Sequence, residues 1–209
     1  MPCAPRSPPG WTGVAERAAP RHPGLILGVA RFFYDPRGSM RGMLDSGPTE
    51  ARLLFYALLA AAILLTGKIA GILQFSEPGT DVMGLISAQA VSLLFFMPLI
   101  YYALAAVGTL VARLFRGEGS WHQGRAAFFW ASLVSAPVIA FANHLARSIP
   151  ALPYEIAILL GQFGGVFFAW ALAQCYAEAF RFTRTWLVFA AICAPVFVLI
   201  VITWAVLNS

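Results

Sequence analysis

Five apolar stretches follow one another along this chain, at residues 53–73, 82–115, 126–145, 156–177 and 186–207. Each exceeds the roughly 18 residues that separate a membrane-spanning helix from a buried core helix. In hydrocarbon every backbone N–H and C=O must be bonded within its own segment, and a long apolar run achieves this as an α-helix. Hydrophobic residues make up 60% of the chain and charged residues 11%, and the mean hydropathy is +0.76. That balance excludes an ordinary soluble domain. No alternating pattern of about ten residues suggests a β-barrel. The expected fold class is an all-α membrane protein, a bundle of five transmembrane helices with amphipathic helices at its N-terminal edge.

Arginine orients the bundle. Arg6, Arg17, Arg21, Arg31, Arg37, Arg41 and Arg52 precede the first stretch, Arg113, Arg116 and Arg125 surround the second loop, and Arg181 and Arg184 lie in the fourth. The first loop carries Glu77 and Asp81 instead, and Arg147 alone marks the third. Basic residues stay on the side from which a helix inserts, so the N-terminus is expected inside and the C-terminus outside. A count of five spans keeps every loop consistent except the one holding Arg147. The net charge of +5 then comes from membrane edges, where anionic lipid is the nearer partner than nucleic acid.

Three parts are expected. Residues 1–23, rich in Pro and Arg, read as a disordered tail. Their only apolar neighbour, residues 25–30, is too short for a signal-peptide core. Residues 24–48 read as a cytoplasmic interfacial segment. Leu25, Ile26, Val29, Phe32 and Phe33 recur at helical spacing there, Met40, Met43 and Leu44 form a second face, and Asp35 with Pro36 is a helix-starting pair. The alternative is that these helices pack on the cytoplasmic ends of the spans. Residues 49–209 then form the transmembrane domain, opened by Thr49-Glu50 after the breaker Gly47-Pro48.

Within the spans, Pro98, Pro137 and Pro195 are expected to kink their helices. Gly67-x-x-x-Gly71 and Gly161-x-x-x-Gly165, with Gly164 beside it, are candidate positions of close helix contact. Arg31, Arg37, Arg41, Arg113 and Arg116 are candidate basic groups facing lipid or a partner. Lys68 is the one full charge well inside a span. It is either a transport or coupling charge or a side chain that snorkels to the rim, with Glu77 and Asp81 as its expected partners. Two short segments also resemble one another: residues 112–116 end the second span as residues 177–181 end the fourth.

Cys3, Cys175 and Cys193 have no paired spacing and suggest neither disulfide nor zinc. No nucleophile–base set, H-E-x-x-H or phosphate-binding glycine loop is present. The reading is therefore of a protein with no catalytic residue, no metal site and no cofactor.

The layout resembles the Yip1-domain family of five-span membrane proteins. Four features carry the likeness: Phe33-Tyr34-Asp35-Pro36-Arg37 before the first span, the Gly119-Ser120-Trp121-His122-Gln123 loop, the run from Ala131 to Pro137, and the Arg-flanked loop before the fifth span. The resemblance covers about Leu25 to Leu207. It implies a cytoplasmic N-terminal region and a non-enzymatic role in membrane organisation, trafficking or assembly. Eukaryotic members contact small GTPases through that region, but their more elaborate aromatic–acidic motif is absent here. Thirteen arginines to one lysine point to a GC-rich bacterial genome, hence an inner-membrane location with the C-terminus periplasmic. Expected partners are membrane lipids and other membrane proteins or a second copy of the chain. A small permease, a transporter subunit, or an accessory subunit of an energy-transducing complex is the alternative.

Overall fold

The computed structural model of the protein describes residues 24–149 and 153–207, so the expected disordered tail 1–23 lies outside it. The described chain is all-helical. Two short helices, α1 (Leu25–Phe32) and α2 (Pro36–Asp45), precede α3 (Glu50–Phe75) and α4 (Val82–Val91). A π-helical turn, Ser92–Phe96, joins α4 to α5 (Met97–Leu114); then come α6 (Trp121–Ser148), α7 (Tyr154–Ala179) and α8 (Thr185–Leu207).

Among the described residues four segments are long and apolar enough to cross a membrane: Glu50–Gln74, Val82–Leu114, Trp121–Ser148 and Glu155–Ala179. The last apolar stretch forms α8, with an apolar segment over Thr185–Pro195. Local signals set the helix starts. Thr49 Oγ accepts from the Arg52 N–H at the start of α3, and Asp81 Oδ1 accepts from Gly84 at the start of α4. Ser120 and Gln123 form a reciprocal capping box at α6.

Pro98 removes the donor that the Leu94 carbonyl would receive in an α-helix, and its ring crowds that carbonyl. The wider π turn, ending two residues before the proline, absorbs the misfit. α6 and α8 continue through Pro137 and Pro195.

α6 is the axis of the bundle. Sixty-seven per cent of its most apolar window is buried, against 28% or less for the other three candidate spans. Ala126, Ala127, Ala131 and Ala136 are fully buried on it, and such small side chains let neighbouring backbones approach where lipid offers no hydrophobic drive. Pairing fixes the directions. Glu50 meets Arg125, the Tyr56 ring meets Trp130, and Gly67 meets Ala140, so α3 and α6 run parallel. Tyr101 and Tyr102 pack on Phe128 and Phe129, while Thr109 lies against Gly124, so α5 is antiparallel to α6. Gly164 against Ile139 and Phe168 against Phe128 make α7 antiparallel to it as well. One end of the bundle thus gathers α1, α2, the α5–α6 loop and the α7–α8 loop. The α3–α4 and α6–α7 connections form the other.

Candidate functional site

The end carrying α1 and α2 is built by polar ties between distant parts of the chain. Asp35 accepts from the Gly38 N–H at 2.9 Å and from Arg31 at 2.9 Å. The Gly38 N–H first, and then the Arg31 guanidinium, hold the Asp35 carboxyl below the usual carboxylate range. This fixes the turn from α1 into α2. Trp130 Nε1, on α6, donates to Ser39 Oγ at 3.2 Å, and Ser39 Oγ donates to the Gly28 carbonyl at 2.8 Å. One buried hydroxyl therefore joins α1, α2 and α6. Gly28 lies against the Trp130 ring, where an added Cβ would come within 3.1 Å.

α2 then reaches α7 and α8. Arg37 donates to the Phe182 carbonyl at 3.2 Å and to the Thr185 hydroxyl. Arg41 contacts Glu178 Oε1 at 2.7 Å, and that carboxylate raises the arginine pKa further. Arg41 is mostly exposed, so the pair positions α2 more than it stabilises it. Met40 and Met43 are buried beneath. The helices therefore pack on the end of the bundle, where Arg37 reaches the α7–α8 loop and the largely exposed Arg41 reaches Glu178 of α7. Away from this contact, Ile26 is 86% exposed and Tyr34 74%, with Leu27 exposed between them.

Other polar groups close the same end. Glu50 accepts from Arg125, with His122 Nε2 3.9 Å away and the Tyr102 hydroxyl donating at 3.5 Å. This cluster ties the ends of α3, α5 and α6. Arg113 lies over the Trp121 ring at 5.6 Å. Arg116 and Arg181 both adopt left-handed backbone, with φ of 61° and 59°. In each case the following residue returns a hydrogen bond into the helix, Gly117 to Ala112 and Phe182 to Ala177. The two similar segments thus end their helices in the same way. Arg181 also approaches Glu118 of the neighbouring loop at 3.7 Å.

The glycines divide by surroundings. A Cβ on Gly67 would lie 3.4 Å from the Ala140 Cβ, and one on Gly164 would lie 3.1 Å from the Ile139 backbone. Gly161 is looser, 3.8 Å from Asn143, and a Cβ on Gly165 would meet nothing within 4 Å. Gly71 makes room for a side chain, since its Cβ would sit 2.7 Å from Arg147 Nη1. That places Arg147 beside Lys68 at the far end of the bundle. Together with Ile72, Ser76 and Gln89 they line an open cleft of about 530 Å³. Glu77 and Asp81, the partners expected for Lys68, are not within 4 Å of its ammonium group. The loop that carries them projects outward, and both are exposed.

Ser39 and Trp130 are the contributors that sequence reasoning did not single out, and Arg147 stood out there only as the exception to the arginine alternation. The helical spacing of α2 could have shown Ser39 on the face of Met40 and Met43. Nothing local marks Trp130 as its partner.

A family model for the Yip1 domain matches residues 30–206. No curated protein and no solved structure matches the chain.

Proposed function

The chain belongs to the Yip1 domain family, and on that premise we propose that it is a non-enzymatic membrane protein whose working surface is the end capped by α1 and α2. In this reading α8 crosses the membrane as a fifth span, the N-terminus is cytoplasmic, and the C-terminus faces the periplasm of a bacterial inner membrane. The role is membrane organisation or assembly, exercised through a protein or lipid partner at the capped end.

One observation carries the proposal. The α1–α2 layer is clamped to α6, α7 and α8 through Ser39, Arg37 and Arg41, yet it presents Ile26, Leu27 and Tyr34 outward. A helix apolar on both sides, held firmly on one, is suited to insert its free edge into the headgroup region or into a partner. Every described arginine except Arg147 lies at this end, which supports attraction to an anionic cytoplasmic leaflet.

The test is photo-crosslinking in living cells from a benzoyl-phenylalanine placed at position 26 or 34. Both positions should give an adduct of the same mass, protein or lipid, that disappears when Leu27 is changed to Asp. A chain that keeps its thermal stability but yields no adduct from either position would overturn the reading.

A further inference from the structure

We infer that the cleft between α3, α4 and α6 at the far end is a phosphate-binding site, for an anionic lipid headgroup or for free phosphate. Lys68 and Arg147 come from different helices and open on the same space. At the capped end Arg31, Arg41, Arg125 and Arg181 each meet a carboxylate within 4 Å. Among the described residues neither Lys68 nor Arg147 does. Both side chains are exposed, but two like charges facing one open space at the edge of a low-dielectric bundle repel one another, and a single anion between them relieves that repulsion.

The donors fit a phosphate. The Arg147 guanidinium is seated against the bare backbone of Gly71, with its Nη1 2.7 Å from where a Cβ would stand. Its planar fork can engage two phosphate oxygens, while Lys68 adds a point charge. Gln89, half-buried on α4, has no side-chain hydrogen bond among the described residues and offers two N–H groups. Ser76 donates to the Ile72 carbonyl at 2.6 Å, so its hydroxyl proton is already committed. A volume of about 530 Å³ exceeds one phosphate and leaves space for a glycerol headgroup. This site lies at the opposite end from the surface proposed above and does not depend on it.

The test uses the full chain in a neutral maltoside detergent, with phosphatidylglycerol and phosphatidylcholine offered in equal amounts and bound lipid read by native mass spectrometry. Phosphatidylglycerol should be retained preferentially. Lys68→Gln and Arg147→Gln should each lower its retention on the order of tenfold, whereas Gly165→Ala, where an added Cβ meets nothing within 4 Å and which belongs to neither surface, should not. Millimolar inorganic phosphate that displaces the lipid, or raises the melting temperature of lipid-free protein, identifies a free anion as ligand. Retention indifferent to phosphate identifies the lipid. Equal retention of both lipids with no thermal response to phosphate would sink the proposal. So would neutral variants that bind as the parent does. Should a neutral variant fail to fold, Lys68→Arg decides the matter, since it conserves the point charge and leaves the Arg147 fork in place. It must keep most of the retention, and loss in this folded, charge-conserving form would also overturn the idea.

Discussion

Arg116 and Arg181 hold a backbone conformation that costs a side chain with a Cβ on the order of 1 kcal/mol. Glycine adopts it without that cost, although it gives up more freedom on folding. Arg116→Gly should therefore raise stability by about 0.5–1 kcal/mol, measured by thermal denaturation in detergent. Arg181→Gly should gain less, because it also removes the contact with Glu118. The glycine motifs give a second prediction. Gly164→Val forces a side chain against the Ile139 backbone and should destabilise by about 1–3 kcal/mol. Gly165→Ala, where nothing lies within 4 Å, should be neutral or slightly stabilising. Spacing alone marked Gly161 and Gly165 as the pair, yet Gly164 makes the tighter approach. A small-residue motif says that some face is thin. Which face meets a neighbour depends on packing that the i, i+4 interval does not encode.

At the scale of elements, the attachment of α1 and α2 rests on few groups. Ser39→Ala would leave the Trp130 N–H and the Gly28 carbonyl without their shared partner in a buried place. The expected cost is about 1–3 kcal/mol, with faster proteolysis between α2 and α3 as the measurable sign. Acid should loosen the same layer by a different route. The Asp35 carboxyl sits below its ordinary value of 3.8, so its contribution is present above that pH and is lost as pH falls through the depressed folded value. A spin label at position 44, where Leu44 packs against the core, should stay immobilised at pH 5 and become mobile well below pH 4, and Asp35→Asn should blunt that transition. The Asp35-Pro36 helix start was legible because capping is local chemistry between neighbours. The Ser39–Trp130 bond joins residues 91 positions apart, and a single sequence carries no trace of that meeting.

For the whole molecule, the arginine alternation makes a topological prediction. A cysteine at Ser120 should resist an impermeant thiol reagent added outside the cell, while one at Thr80 should react. Labelling of Ser120 from outside would invert the bundle. The helical class and the helix ends followed from long apolar runs and their polar borders. The central place of α6 did not, because its hydropathy of 1.6 is the lowest of the four candidate spans; its buried alanines set it apart only once the helices assemble. The π turn at Ser92–Phe96 bears on this assembly as a matter of phase. In an unbroken α-helix residues 89 and 101 would point about 120° apart, at roughly 100° per residue. One residue absorbed in the wider turn reduces that angle to about 20°. Gln89 is thereby brought into line with Tyr101, which packs on Phe128 of α6. Excising a single residue from that turn would swing the amide out toward hydrocarbon, and the far cleft would lose its contact with α4.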